Sequence, residues 1–205
     1  MSVKLGNTAF SEAYVGANHV DKIAVGSNVI YYGLVETNLL IQLDAEDSDS
    51  YPGSGTTITD LRGNHNATLA GTFNNTTPKN FEIDREAGTN VEFITFGDIE
   101  TLNSPHDFTF SLWFEFVNLP GDSDIFTKGI HSQNQPILCW YDVVASATIP
   151  SVGAGNQRTI SFIVTDSNRQ HWVTAPTDSI TTGQIYHLVV QHNTSGRARI
   201  WLNGV

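Results

Sequence analysis

The sequence predicts an all-β protein: a jelly-roll sandwich domain preceded by a small N-terminal β repeat module. Three observations predict it. The first is alternation. In Phe108-Thr109-Phe110-Ser111-Leu112-Trp113-Phe114-Glu115-Phe116, every second residue is large and apolar. Successive strand side chains point to opposite faces, so Phe108, Phe110, Leu112, Phe114 and Phe116 share one face. Thr109, Ser111, Trp113 and Glu115 share the other. The second is spacing. Further strand-like runs fall near 91–96, 123–127, 136–144, 158–164, 170–175, 185–192 and 197–203. Turn signals separate them, such as Leu119-Pro120-Gly121-Asp122, Gly153-Ala154-Gly155-Asn156 and Asn193-Thr194-Ser195-Gly196. No segment combines helical periodicity with caps, and many short strands imply a sandwich or jelly roll. The third is a repeat over the first 32 residues. Leu5-Gly6-Asn7-Thr8-Ala9-Phe10, Val15-Gly16-Ala17-Asn18-His19-Val20 and Val25-Gly26-Ser27-Asn28-Val29-Ile30 recur at an interval of ten.

Each repeat reads as a small hairpin. Glycine with Asn or Thr supplies a tight turn, and the flanking apolar residues make short strands. Such units bury little surface alone, so they need a partner: the main domain or another protein. The expectation is an attachment module over 1–33, marked by Gly6, Phe10, Gly16, Val20, Gly26 and Ile30. Gly33 is the expected boundary, with one domain over 34–205. Just inside that domain, the second half of the run from Leu34 to Asp44 alternates and is expected to enter a sheet.

The bulk numbers exclude several functions. The chain has 205 residues, 40% of them hydrophobic, enough to pack a sizeable core. Its formal net charge of −11, from 10 Lys+Arg against 21 Asp+Glu, repels phosphate backbones, so no nucleic-acid partner is expected. One cysteine, Cys139, permits no intrachain disulfide. The start MSVKLGNTAF has no basic n-region or apolar h-region, so no signal peptide is expected. No apolar run approaches a membrane span.

The stretch Ser50-Tyr51-Pro52-Gly53-Ser54-Gly55-Thr56-Thr57-Ile58-Thr59-Asp60-Leu61-Arg62-Gly63-Asn64-His65-Asn66 invites a phosphate-loop reading. That reading fails, because no lysine follows Gly55 and no amphipathic helix follows the loop. As a connection inside a β fold, it assigns Asp60 the task of capping the turn at Arg62-Gly63-Asn64 with its carboxylate, as in an Asx-turn.

A family resemblance runs through these residues. Leu43-Asp44-Ala45, the stretch just quoted and Asp60-Leu61 through Ala67-Thr68-Leu69 resemble the first part of a laminin-G-like, concanavalin A-like jelly roll. Phe108–Trp113, Ile125-Phe126-Thr127-Lys128-Gly129, Ile185–Val190 and Ala198-Arg199-Ile200-Trp201-Leu202-Asn203-Gly204-Val205 resemble its later strands in the right order. The resemblance spans about 34–205. Such domains are common in bacteriophage virion proteins. Two departures stand out. The region from Phe81 to Phe93 lacks the family's aromatic-Asp-Gly-x-Asp-Asp-Tyr stretch. The chain also stops at Val205, where the family would add closing strands. The expectation is a jelly roll that continues beyond Val205 or is completed by a neighbouring chain.

The candidates for chemistry are few. Glu82-Ile83-Asp84-Arg85-Glu86 resembles the Glu-x-Asp-x-Glu motif of laminarinase-type glycosidases. That resemblance implies Glu82 as nucleophile, Asp84 as helper and Glu86 as acid/base of a retaining mechanism. Arg85 breaks the motif where an apolar residue should face the core, and a solvated strand edge is the preferred reading. Relatives of this fold often bind Ca²⁺ at one rim, and Asp47 and Asp49 alternate in one expected loop, with Asp98, Asp107, Asp122 and Asp124 in others. None forms a dense ligand loop, the seven histidines lack zinc spacing, and no cofactor or metal site is assigned. Aromatic residues suit sugar faces, which makes Trp140, Tyr141, His171 and Trp172 the glycan-binding candidates. Trp113 and Trp201 are expected to pack in the core or between sheets.

The sequence reading is a non-enzymatic bacteriophage virion protein, a fibre or decoration component made in the host cytoplasm. Residues 1–33 would dock on other virion proteins, and the jelly roll would bind a host-surface glycan or stabilise the particle as a homo-oligomer. The alternatives are a retaining β-glucan-type hydrolase and an assembly protein with no ligand.

Overall fold

The computed structural model describes residues 3–5, 8–10, 14–15, 18–19, 22–25, 28–32, 38–83, 92–102, 107–118, 123–128, 137–142, 159–165, 170–176, 179–195 and 197–204. Before residue 38, and at 142, 170 and 172, the description is of the backbone alone. The chain divides into two compact units, Met1–Gly97 and Asp98–Val205. The expected boundary at Gly33 lies outside the described residues.

The first unit begins with β1 (Val3–Leu5), β2 (Thr8–Phe10), β3 (Tyr14–Val15), β4 (Asn18–His19), β5 (Lys22–Val25) and β6 (Asn28–Tyr32). They form three antiparallel hairpins, β1–β2, β3–β4 and β5–β6. The innermost pairs are Leu5↔Thr8, Val15↔Asn18 and Val25↔Asn28, so the register repeats with the sequence. Two residues separate each innermost pair, the loop length that favours tight hairpin turns. Phe10 and Ile30 lie in β2 and β6. Gly6, Gly16, Val20 and Gly26 lie outside the described residues.

The rest of this unit is loop-rich. β7 (Thr57–Ile58), β8 (Ala67–Ala70) and β11 (Phe93–Thr95) make a three-stranded sheet, and β9 (Thr72–Asn74) pairs with β10 (Asn80–Glu82). Tyr51, Ile58, Ala67 and Leu69 form a small core, packed by Leu43, Phe73, Phe81, Ile94 and Phe96. The Tyr51 ring lies 4.6 Å from Phe73 and 5.4 Å edge-on to Phe81, while its hydroxyl donates to the Gly55 carbonyl at 2.6 Å. Gly71 is required by packing, since a Cβ there would lie 2.7 Å from the Glu82 carbonyl oxygen.

Asp60 organises the connection as the sequence predicts, and does more. It is 1% exposed. Its Oδ1 accepts the backbone N–H of Arg62 at 3.0 Å and of Gln42 at 2.8 Å. Its Oδ2 accepts those of Asn64 and His65, each at 3.0 Å. The Gln42 bond explains a correction. Leu39–Asp44 is not a strand: the Gln42 amide is taken by the Asp60 carboxylate, and its carbonyl accepts from Leu61 N–H. Burial raises the pKa of Asp60, but the four donated hydrogen bonds outweigh it and hold the carboxyl below its ordinary value.

The second unit is a sandwich. After a short 3-10 turn at Glu100–Leu102 come β12 (Phe108–Glu115), β13 (Ser123–Lys128), β14 (Ile137–Asp142), β15 (Thr159–Thr165), β16 (Gln170–Thr174), β17 (Ile185–Asn193) and β18 (Arg197–Leu202). Every expected strand from 91–96 onward appears, within two residues at each end. One sheet has the order β12-β17-β18, the other β13-β14-β15-β16, and every ladder is antiparallel. The chain leaves the first sheet after β12, builds the second as a meander, and returns at β17 beside β12. β18 packs against β15 and β16. The buried layer between the sheets includes Tyr141, Phe162, Tyr186, Leu188 and Val190, with Phe108, Phe110, Leu112 and Phe114 packed on it. Ring contacts cross between the sheets: Phe110–Phe126 at 3.9 Å and Phe116–Tyr141 at 5.0 Å. Among the described residues there is no α-helix, and no helix is long and apolar enough to cross a membrane.

A candidate binding face on the three-stranded sheet

The outer face of the β12-β17-β18 sheet gathers chemistry in rows that the register fixes. Thr109, Gln191 and Arg199 form one row, Ser111, Val189 and Trp201 the next, and Trp113 with His187 the third. Along a strand, same-face residues are about 6.8 Å apart, and neighbouring strands lie about 4.8 Å apart. The three rows therefore make a continuous platform.

Trp113 is its most conspicuous member. It is 68% exposed. Its ring stacks on the His187 imidazole, with centroids 4.4 Å apart and planes 16° from parallel. The same imidazole reaches Ser111, with Oγ and Nε2 2.9 Å apart. The backbone of His187 is pinned by Asn203, whose Oδ1 accepts the His187 N–H at 2.9 Å and whose N–H donates to the His187 carbonyl at 2.8 Å. In the first row Arg199 donates to Gln191 Oε1 at 2.9 Å, and Gln191 Nε2 reaches Thr109 Oγ1 at 3.4 Å. Ile185 extends the apolar part, 51% exposed.

This face can stack apolar rings and read hydroxyl groups, because aromatic faces sit beside hydroxyl, imidazole, amide and guanidinium groups. Hydrolysis by Ser111 and His187 would need an acid to orient the imidazole and a pair of oxyanion donors. Among the described residues no carboxylate is bonded to His187.

The predicted glycan residues do not come together here. Trp140 pairs with Ser161, half-buried, on the side of its sheet away from the core. Tyr141 is 0% exposed and belongs to the core, which removes it as a stacking surface. His171 pairs with Val164, a core residue, and its ring lies 5.7 Å from that of His192. Trp172 pairs with Ile163 in the backbone ladder, and its side chain lies outside the described residues. The physical reason is period two: residues adjacent in a strand face opposite ways, so neither Trp140–Tyr141 nor His171–Trp172 can form one platform.

Trp113 also departs from expectation. The expectation of core or inter-sheet packing fails at 68% exposure. The alternation that grouped it with Thr109, Ser111 and Glu115 was the signal that could have found it. Likewise His187 and His192, five positions apart, fall on opposite faces: His187 joins the outer platform, and His192 is 2% exposed.

The carboxylates serve local structure. Glu82 is exposed on β10 and accepts from Asn74 Nδ2 at 3.1 Å; Asp84 and Glu86 lie outside the described residues. Asp44 and Asp47 accept the backbone N–H two residues on, each at 2.8 Å. Asp98 pairs with Lys128 at 2.6 Å, and Asp107 accepts from Thr194 N–H at 2.5 Å. Asp124 is exposed on β13, and Asp122 lies outside the described residues. Among the described residues no group of three or more His, Cys, Asp or Glu is placed to hold a metal ion. Cys139 is buried, and desolvation pushes its thiol pKa far up, which keeps it an unreactive thiol.

Two facing antiparallel sheets with this topology define a lectin-like β sandwich. Residues 88–205 match the laminin-G group of the concanavalin A-like lectin/glucanases superfamily, and the chain belongs to that family. The segment that opened the sequence resemblance, Leu43 to Leu69, precedes the matched stretch. No curated protein and no solved structure matches the chain. The family accommodates carbohydrate-binding and structural roles, and its superfamily includes glycosidases.

Proposed function

We propose that this chain is a bacteriophage virion structural protein, a fibre or decoration component, whose jelly roll binds a host-surface glycan through the outer face of β12-β17-β18. The observation that carries the binding reading is Trp113: a large ring, 68% exposed, held by stacking on His187. A ring left in water yet kept in one orientation is what a sugar face requires. Docking on other virion proteins is assigned to residues 1–33. Its support is the recurring register of three hairpins that are too small to be stable alone. Location in the virion and self-association into a homo-oligomer belong to the same proposal.

A printed oligosaccharide array tests the binding. The wild-type chain is expected to bind, and Trp113→Ala to lose at least tenfold in affinity. Equal binding by the variant sinks this face as the site. A cryo-EM map of the native particle tests the docking. Density for residues 1–33 against another virion protein is the expected result, and a free monomer away from any particle contradicts it.

A further inference from the structure

The charge of the platform goes beyond its aromatic content, and it rests on the glycan reading above. The chain carries −11 overall and has only 10 Lys and Arg. Two of them, Arg197 and Arg199, stand two residues apart on β18 and are exposed. Neither forms an ion pair with a carboxylate among the described residues. Arg199 is positioned rather than adrift: it donates from Nη1 to Gln191 Oε1, and Gln191 also reaches Thr109. A guanidinium has five donors in a planar fork, so one bond to an amide leaves the rest for a carboxylate or a similar planar anion. The acids near this face lie apart from that row. Glu115 pairs with Ile185 at the opposite end, roughly 20 Å along the strand. Asp107 lies beside the Arg197 end, where its Oδ1 is engaged by Thr194 N–H. The face therefore has an aromatic end at Trp113 and a cationic row at Arg199, about two row spacings or 14 Å apart along the strands.

We infer that the platform takes an acidic glycan bearing carboxylates on some of its sugars, with Trp113 stacking a ring and Arg199 receiving a carboxylate. Charge complementarity chooses this occupant over a neutral one. The density of charge narrows it further. A polymer with an anion on every unit would be repelled by the chain as a whole, whereas a single cationic row suits an isolated carboxylate.

The test uses the full chain on an array printed with neutral, uronate-bearing and sialylated oligosaccharides. The tightest ligand is then compared with its carboxyl-reduced form in solution. The expected result is a bound set made of carboxylate-bearing sugars, with at least tenfold weaker binding after carboxyl reduction. That gap should narrow as salt is raised and vanish in Arg199→Gln. Trp113→Ala should weaken both forms alike. A bound set that is neutral, or a gap that survives Arg199→Gln, overturns this inference and leaves the glycan reading standing. No binding to any printed sugar overturns both.

Discussion

The two faces of the β12-β17-β18 sheet are made by the same three strands, offset by one residue. The inner face holds Phe108, Phe110, Leu112 and Phe114, then Tyr186, Leu188, Val190 and His192, then Ala198, Ile200 and Leu202. The outer face holds Ser111, Trp113, His187, Gln191, Arg199 and Trp201. The inner set removes apolar surface from water and secures the fold. The outer set adds little to that, since its bonds are exposed and its largest ring stays in water. The contrast teaches that type alone does not assign a strand residue its task. Trp113 and Phe114 are neighbours of similar hydrophobicity, yet one ring stands in water and the other packs on the core.

The largest effect should come from the inner face. Phe162→Ala, opposite that face in the core, should cost roughly 4 kcal/mol of stability, read by denaturant unfolding. A loss below about 1 kcal/mol would mean that the sandwich is not packed as described. Asp60 sharpens the contrast from outside the sheet. Asp60→Asn turns one acceptor oxygen into a donor facing backbone N–H groups, and should cost about 3 kcal/mol. Because the folded pKa lies below the ordinary carboxylate value of 3.8, this contribution is complete above that value. It is lost as pH falls through the folded pKa, so wild type should lose stability on acidification more steeply than the variant. Glycan binding by the second unit should survive Asp60→Asn at neutral pH.

Smaller effects belong to the outer face. Trp113→Ala should leave stability within about 0.5 kcal/mol while weakening glycan binding about tenfold, roughly 1.4 kcal/mol. If instead it unfolds the domain, the face is structural and the contrast breaks. Ser111→Ala is the mildest change. It removes the Oγ partner of His187 at an exposed site, so unfolding should shift by less than about 0.5 kcal/mol. A calorimetric titration should then show a few-fold loss of affinity.

Much of this architecture was legible in the sequence, and the reasons are local. Period-two alternation marks β12 and β17 because each has one apolar face. The ten-residue repeat marks the hairpins because turn and register recur together. Asp60 was legible because Asx-turns act over a few residues. Its bond to Gln42, 18 positions away, was not, and that is why Leu39–Asp44 was misread as a strand. The platform depended on pairing across 76 positions between Ser111 and His187, which no local pattern carries. Of the chosen aromatics, Tyr141 is lost to the core, because grouping by adjacency ignores that neighbours in a strand face opposite ways; Trp140 and Trp172, through their ladder partners Ser161 and Ile163, fall in adjacent rows of the other sheet, away from Trp113.

The most direct measurement is of the indole N–H resonances of the four tryptophans, Trp113, Trp140, Trp172 and Trp201, assigned by single substitution. They would be followed by NMR during titration with the tightest array ligand. Saturable shifts at Trp113 and Trp201, with Trp140 unmoved, are the expected result. Shifts at Trp140 with Trp113 silent would contradict it and place the site on the other sheet.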